Sequence, residues 1–233
     1  MPNALQLAVA VAVKAGLGLV LFVVLRRGLH RRCWSFLVYL LAVLMYSSAE
    51  LLGILFYEVP GSTWPRQLWS WHFWNFEQTV FAVIKMALAI ELGLRVVAAF
   101  PGTWRLTRLM LGAALLSTTA IVIFAETPQQ PLLATGAIWL FASTSLVVVM
   151  FNLPVHAWYR ALLVGFVPYL FVFGTIQQLM VNLGLNVARV FGSVDQIGYL
   201  VLVGWWAYAA WREEERVAGV SPVVLKRLGL VRA

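Results

Sequence analysis

Six ionisable side chains occur inside stretches of the sequence that are otherwise apolar. They are Lys14, Glu50, Glu77, Lys85, Glu91 and Asp195. A charge in an apolar environment is costly unless it has a partner or lies in a water-filled cavity. Such groups therefore either hold helices together or mark an ion pathway, a proton relay or a ligand site. The chemistry that these residue types predict is charge pairing, proton transfer or the binding of a polar ligand.

Common catalytic and metal-binding patterns do not occur in the sequence. There is no Gly-x-Ser-x-Gly, no His-Glu-x-x-His and no phosphate-binding loop. The single Cys33 excludes an intrachain disulfide and a four-cysteine metal site. His30, His72 and His156 are predicted at the ends of apolar segments, not at the centre, where haem or zinc would need them. We therefore predict no catalytic residue, metal or cofactor, which favours a non-enzymatic function.

The composition indicates whether the segments that carry these side chains lie in water or in a membrane. The 233 residues are 62% apolar and 11% charged, with a mean hydropathy of +0.87. A soluble domain is about half apolar and roughly a quarter charged, and one core of this size could not bury the excess. The net charge of +8 is spread in short clusters between apolar runs, a pattern of membrane topology and not of nucleic-acid binding. The lipid bilayer is therefore the expected partner.

The chain is predicted to be an all-α polytopic bundle of seven transmembrane helices. A helix that spans the hydrocarbon needs about 20 mostly apolar residues. Seven stretches qualify: Ala4–Leu25, Ser35–Tyr57, Phe73–Val97, Leu106–Ala125, Leu132–Phe151, Tyr159–Val181 and Gly192–Trp211. Residues 1–211 then form the bundle. Residues 212–233 form a tail that mixes apolar and basic residues and is expected to lie along the inner leaflet as an amphipathic segment.

The distribution of basic residues predicts the orientation. Short loops rich in Lys and Arg stay in the cytoplasm. Thirteen of the seventeen basic residues fall on one side of the predicted bundle, and only Arg66 and Arg189 fall on the other. The thirteen are Arg26, Arg27, Arg31, Arg32, Arg95, Arg105, Arg108, Arg160, Arg212, Arg216, Lys226, Arg227 and Arg232. The N-terminus is therefore expected outside and the C-terminus inside, in a bacterial inner (plasma) membrane.

Helical periodicity predicts where the polar side chains meet. At roughly 100° per residue they form stripes on the second, third, sixth and seventh segments, and stripes that faced lipid would lack partners. Lys85 is expected to pair with Glu50 or Glu77, and Glu91 with Arg95. Two interpretations stay open: structural pairing between helices, or a ligand pocket that opens outward. The predicted pocket residues are Glu50, Glu77, Gln78, Lys85, Gln178, Asp195 and Tyr199. Pro168, in the middle of the sixth segment, is a candidate hinge beside that pocket.

Two runs of residues carry a resemblance to known proteins. One is Trp74-Asn75-Phe76-Glu77 through Glu91-Leu92-Gly93-Leu94-Arg95 and then Phe100-Pro101. The other is Trp205-Trp206-Ala207-Tyr208 followed by acidic residues 213–215. Both are similar to uncharacterised seven-helix bacterial inner-membrane proteins. The layout also resembles the seven-helix sensor modules that are fused to bacterial signalling enzymes. This resemblance implies a fold and a sensory role but supplies no catalytic residue, and the chain departs from it in lacking an effector domain.

Three classes of function remain open from the sequence. The first is a receptor-like or sensory module whose outer cavity binds a small molecule and which signals through another membrane protein. The second is an accessory or structural subunit of a larger membrane protein complex, which suits large apolar faces without catalytic motifs. The third is a small proton- or cation-coupled transporter that uses Glu50, Glu77 and Lys85. The buried charges favour the first and third, and the missing motifs favour the second.

Overall fold

A computed structural model of the chain describes residues 4–55, 71–98, 129–150, 155–183 and 185–212. All regular elements in these ranges are helical. A single 3₁₀ turn, Leu29–Arg31, links the first two of six α-helices. The helices are α1 (Ala4–Arg26), α2 (Trp34–Leu55), α3 (Trp71–Ala98), α4 (Gln129–Met150), α5 (Ala157–Leu183) and α6 (Leu185–Trp211).

Six of the seven predicted segments coincide with these helices. The fourth, Leu106–Ala125, and the tail after Arg212 lie outside the described residues. The largest difference is at the start of α6, which begins at Leu185 and not at Gly192. Hydropathy marks only the apolar part of a helix, whereas the helical backbone continues through polar residues such as Asn186 and Arg189 at little cost in propensity.

The six described helices form a closed ring. Each helix packs against the next one along the described chain, from α1 to α6, and α6 packs back against α1. The faces that point into the ring carry the fully buried side chains, including Leu17 of α1, Leu88 of α3 and Trp206 of α6. Side chains from opposite parts of the ring therefore meet along its interior.

An aromatic cluster fills the interior of the ring. The Phe36 ring meets the Trp206 ring edge-on at 5.1 Å and the Trp158 ring at 5.3 Å. Phe166 stacks on Phe141 at 5.0 Å and lies 4.7 Å from Trp206. These rings come from α2, α4, α5 and α6. Edge-to-face and offset contacts are the arrangements that aromatic pairs prefer, so the cluster fixes how these four helices are oriented.

Two glycines allow neighbouring helices to approach closely. A Cβ at Gly16 of α1 would lie 2.7 Å from the Val203 side chain of α6. A Cβ at Gly165 of α5 would lie 2.8 Å from the Trp205 ring and 3.0 Å from Leu202. The indole Nε1 of Trp205 also donates a hydrogen bond to the Ala161 carbonyl at 2.8 Å. Small residues at helix contacts are typical of bundles that pack by close backbone approach.

The turn after α1 requires a glycine. Gly28 has φ 67°, a left-handed conformation that side chains with a Cβ rarely adopt. Its backbone N–H bonds to the Leu25 carbonyl at 3.1 Å, and the N–H of Arg27 bonds to Val23 at 2.9 Å. This is the usual way in which a helix ends at a glycine. The chain can then reverse into α2 within a few residues.

The helix ends that carry arginines are joined at one end of the ring. The Arg27 guanidinium donates hydrogen bonds to the carbonyls of Ala210 and Arg212, at 2.7 Å and 2.5 Å, and so binds the C-terminal end of α6. The Tyr159 hydroxyl at the start of α5 donates to the Arg32 carbonyl at 3.1 Å. The loop between α1 and α2 thus contacts both α5 and α6. We call this the basic end of the ring.

Glu91 of α3 lies close to the basic end and does more than form the predicted ion pair. Its carboxylate lies 3.5 Å from Arg95, as the i,i+4 spacing predicts. It also accepts hydrogen bonds from the backbone N–H of Ser35 at 2.8 Å and of Trp34 at 3.2 Å. The Cys33 thiol donates to the same carboxylate at 3.7 Å. Glu91 therefore caps the N-terminus of α2 from another helix.

The outer surface of the ring is rich in large apolar side chains. Met45, Phe76 and Val201 are each more than two-thirds exposed. Within the described residues, Ala8–Arg26 and Ala157–Ile176 are long and apolar enough to cross a membrane, judged by length and composition. Only 22% of the first stretch and 33% of the second is buried. A core helix of a soluble protein, or a signal sequence near the N-terminus, has a similar length and composition.

Candidate functional site

Lys85 is the central charge of the site. It lies on the inward face of α3, its side chain is only 8% exposed, and it is one of two buried charged residues in the described part of the chain. Its Nζ lies 4.6 Å from the centroid of the Phe173 ring of α5, within the range of a cation–π interaction. The carboxylates of Asp195 and Glu77 both attract this ammonium, Asp195 the more strongly. Lys85 therefore joins α3 electrostatically to α6.

Asp195 lies on α6 and is partly buried. One of its interactions is with the Tyr169 hydroxyl of α5, which donates a hydrogen bond to the carboxylate. Its Oδ1 atom is buried and accepts no hydrogen bond from the described residues. A buried carboxylate oxygen without a donor is costly, so an additional donor at this atom would stabilise the site.

Three tyrosines connect the charges to the aromatic cluster. Tyr199 follows Asp195 by four residues, so both lie on the same face of α6. The hydroxyls of Tyr199 and Tyr39 are 3.2 Å apart and share a hydrogen bond. The Tyr169 ring lies 5.3 Å from the Tyr199 ring, and the Tyr39 ring packs edge-on against Phe166 at 5.4 Å. A polar chain thus runs from Asp195 into the interior, where α2, α5 and α6 meet.

Glu77 is the second buried charged residue. It lies on α3 two turns before Lys85 and is 8% exposed. The side-chain amide of Gln78 donates a hydrogen bond to its Oε1 at 3.5 Å. A pocket of about 130 Å³ between α2 and α3 borders this carboxylate, with Ala42, Tyr46, Phe76, Val80 and Phe81 as its other walls. Ligand sites for drug-sized molecules enclose about 300–1,000 Å³. Phe76 and Val80 are themselves exposed, so this pocket opens to the outer surface of the ring.

The structure brings together five of the seven predicted pocket residues. Lys85, Asp195 and Tyr199 belong to one cluster, and Glu77 acts on it through Lys85. Gln78 lies half-buried beside Glu77. The side chains of Glu50 and Gln178 lie outside the described part of the chain, although the backbone of α2 and α5 includes both positions. The three charged residues Glu77, Lys85 and Asp195 are called the charged cluster below.

Sequence reasoning missed the two residues that α5 contributes. The predicted pocket included only Gln178 from this helix. The nearby polar Thr175 does not face the site, because its hydroxyl is exposed and donates to the Phe171 carbonyl of its own helix at 2.8 Å. Tyr169 and Phe173 occupy the inward positions instead, four residues apart. Their spacing with the buried Phe166 and Ile176 was a readable helical pattern. An aromatic ring can serve a buried ammonium as well as a polar side chain can.

The structure adds a carboxylate to the predicted partners of Lys85. Glu50 or Glu77 was predicted; Glu77 does attract Lys85, and the side chain of Glu50 lies outside the described part of the chain. Asp195 of α6 is the additional carboxylate that attracts Lys85. The sequence could not show that α6 faces α3 across the ring, since the two helices are more than 85 residues apart along the chain.

Pro168 lies inside α5, which continues on both sides of it from Ala157 to Leu183. Pro168 is exposed and lies one residue before Tyr169. A proline in a helix removes one backbone hydrogen bond and favours bending there. Its role as a hinge stays a prediction.

Within the described residues, no group of three or more His, Cys, Asp or Glu side chains is arranged to hold a metal ion. The arrangement that is present can bind a small cation or a hydrogen-bond donor, or can exchange a proton between a carboxylate and its hydroxyl partners. The chain matches no protein-family model, no curated protein and no solved structure.

Proposed function

We propose that the chain is an integral membrane protein, a receptor-like seven-helix module whose charged cluster responds to a small species that enters from outside. The membrane location is supported by the ring of exposed apolar side chains around a core that contains the charges. A water-soluble monomer rarely exposes apolar patches of more than a few hundred Å². Leu106–Ala125, the fourth predicted segment, is the helix that we propose in addition to the six described ones.

The observation that carries the ligand proposal is the imbalance of charge around Lys85. Two carboxylates, Glu77 and Asp195, act on one ammonium. Like charges held together in a site of low polarity favour the uptake of a proton or a cation. The buried Oδ1 atom of Asp195 also lacks a donor among the described residues. A small cation would balance the excess negative charge, and a compact hydrogen-bond donor would bond to the Oδ1 atom of Asp195.

The space around the charged cluster limits the size of the proposed species. The pocket beside Glu77 has about 130 Å³, and one water molecule occupies about 30 Å³ in the liquid. Lys85 and Asp195 do not line this pocket, and both lie in a packed interior, so the species that we propose is small: a hydrated proton, an alkali cation, ammonium or methylammonium. Tyr169 and Tyr199 then provide a route by which occupancy alters the packing of α5 against α6. Tyr169 hydrogen-bonds to Asp195 and its ring contacts the Tyr199 ring, and the Tyr199 ring packs against Trp206 of the aromatic cluster.

Thermal unfolding of the detergent-purified protein tests this proposal. The midpoint is measured in sodium, potassium, ammonium and methylammonium chloride against choline chloride at equal ionic strength. A ligand at about 100 times its dissociation constant adds about 2.7 kcal/mol, so we expect one of these ions to raise the midpoint by roughly 5–10 °C. Asp195→Asn should lose the increase. Gln196→Ala, at the exposed neighbouring position, should keep it.

Equal midpoints in all five salts, over the range pH 5 to 8, would refute a small-ion site. The accessory-subunit proposal would then lead, because the exposed apolar faces suit a protein partner as well as lipid. Stoichiometric co-purification of one other membrane protein from native membranes would support it. A transporter would show the same ion effect, and flux of that ion into proteoliposomes separates it from a receptor.

A further inference from the structure

The basic end of the ring carries far more positive than negative charge. Its described residues include seven arginines and one glutamate, Glu91, which already binds Arg95 and the N-terminus of α2. The arginines are Arg26, Arg27, Arg31, Arg32, Arg95, Arg160 and Arg212. Arg27 is occupied by two carbonyls of α6. Arg26 and Arg31 are exposed and flank the same loop.

An apolar strip begins directly at these arginines. Trp34, Val38 and Leu41 of α2 are 55%, 49% and 43% exposed. Their spacing of four and three residues places them on one face of the helix. Phe22 and Leu25 form a similar exposed pair on α1 just before Arg26. Since α1 packs beside α2, both apolar surfaces end at the loop that carries the two arginines.

We propose that this arginine-topped strip binds an anionic phospholipid. Arg26 and Arg31 receive the phosphate, and the acyl chains lie along Val38 and Leu41. A guanidinium presents paired N–H donors that match phosphate geometry. Trp34 lies between charge and hydrocarbon, the level at which indole rings concentrate in membrane proteins, and the His30 ring packs edge-on against it at 5.6 Å. The proposal rests on the membrane location proposed above.

A lipid suits this surface better than a soluble anion or a protein. A free phosphate would use the arginines but would gain nothing from Val38 and Leu41. An acidic peptide bound in an extended conformation would need hydrogen-bond partners for its backbone along the strip, and the side chains there are apolar. An anionic lipid matches the basic top and the apolar length at the same time.

The test uses the full chain in nanodiscs that contain phosphatidylglycerol and phosphatidylcholine in equal amounts. After mild delipidation, native mass spectrometry counts the molecules of each lipid that stay bound. The wild-type protein should retain phosphatidylglycerol preferentially. Arg26→Gln with Arg31→Gln should reduce this preference by about thirty-fold, since each basic residue near an anionic surface contributes about a factor of five. Trp34→Ala should reduce retention of both lipids.

The matched control is Arg160→Gln with Arg212→Gln, which removes the same charge from the same end of the ring. This variant should keep the preference for phosphatidylglycerol. An equal loss of the preference for phosphatidylglycerol in both double variants would overturn the proposal. It would mean that the basic end attracts anionic lipids as a whole, without a specific site. Equal retention of the two lipids by the wild type would overturn it too. Release of bound phosphatidylglycerol by inorganic phosphate, at an ionic strength where sodium chloride does not release it, would also overturn it. Failure of the chain to enter nanodiscs would instead refute the membrane location.

Discussion

Replacing Lys85 with methionine is expected to lower the free energy of unfolding by about 3–5 kcal/mol, the cost of leaving a buried charge without its partner. Methionine keeps most of the volume of the lysine side chain, so the loss reports on charge and not on a cavity. The variant leaves Asp195 and Glu77 without the ammonium that attracts both. It also removes the cation from above the Phe173 ring.

The partner of Lys85 is identified by double-mutant cycles. Lys85→Met with Asp195→Asn should lose about 1–3 kcal/mol less than the sum of the two single losses, since the second change removes the carboxylate that the first one abandons. The cycle with Glu77→Gln should show a smaller coupling, and the cycle with Glu50→Gln tests the remaining predicted partner. Chemical or thermal unfolding in one detergent supplies all of these values.

Lys14 provides the control for these cycles. It is the other lysine within an apolar segment, it lies on α1, and it is half-buried. Lys14→Met with Asp195→Asn should be additive to within about 0.5 kcal/mol. Additive losses in the Lys85 cycle with Asp195 would show that the charged cluster is not an interacting unit. The ligand proposal would then lose its physical basis.

Glu91→Ala should cost about 1–3 kcal/mol, because it leaves the backbone donors of Trp34 and Ser35 without their acceptor. Arg95→Ala removes only the partner in an exposed i,i+4 ion pair. The arginine side chain is 45% exposed, and such pairs contribute about 0.3–0.5 kcal/mol. The two changes break the same ion pair. The difference between their losses in free energy of unfolding therefore measures the contribution of the cap.

Hydrogen exchange locates this effect. In Glu91→Ala, the amide of Ser35 should exchange faster than in the wild type, whereas amides in the middle of α6 should keep their rates. Glu91→Gln retains one carbonyl oxygen as an acceptor and should fall between the wild type and Glu91→Ala. Equal stability of the Glu91→Ala and Arg95→Ala variants would show that the cap contributes nothing and that the ion pair explains the position.

The helices were readable from the sequence because apolar length is a local signal. The α1 segment was predicted as Ala4–Leu25 and is Ala4–Arg26, and α5 was predicted from Tyr159 and begins at Ala157. The inward position of Lys85 also followed from periodicity, which needs only one helix at a time. Where polar residues extended a helix, as at the start of α6, the hydropathy signal ended before the helix did.

The contacts between helices were not readable, since they depend on which helices become neighbours in the ring. Asp195 was predicted in the pocket but not as a partner of Lys85, and Tyr169 was not predicted in the pocket. Glu91 was read as part of an i,i+4 pair because its partner on the same helix is visible in the sequence. Its bonds to the N-terminus of α2 join residues 56 and 57 positions apart. Each of these misses is a tertiary contact that periodicity does not encode.

Cysteine labelling in intact cells tests the central claim, a membrane-spanning ring with its basic end in the cytoplasm, most directly. Burial, and then the nearby charge of Glu91, raises the pKa of the Cys33 thiol to about 12, so this only native cysteine is not a thiolate at neutral pH and stays unlabelled. New cysteines are placed at Thr63, in the predicted outer connection, and at Ala233, in the predicted cytoplasmic tail.

A membrane-impermeant maleimide is applied to intact cells and to permeabilised cells. The parent protein serves as the unlabelled reference. The membranes are then washed in alkaline carbonate. We expect Thr63→Cys to be labelled in intact cells, Ala233→Cys to be labelled only after permeabilisation, and both proteins to stay in the washed membranes. Labelling of both sites under the same condition, or release of the protein by carbonate, would contradict the account.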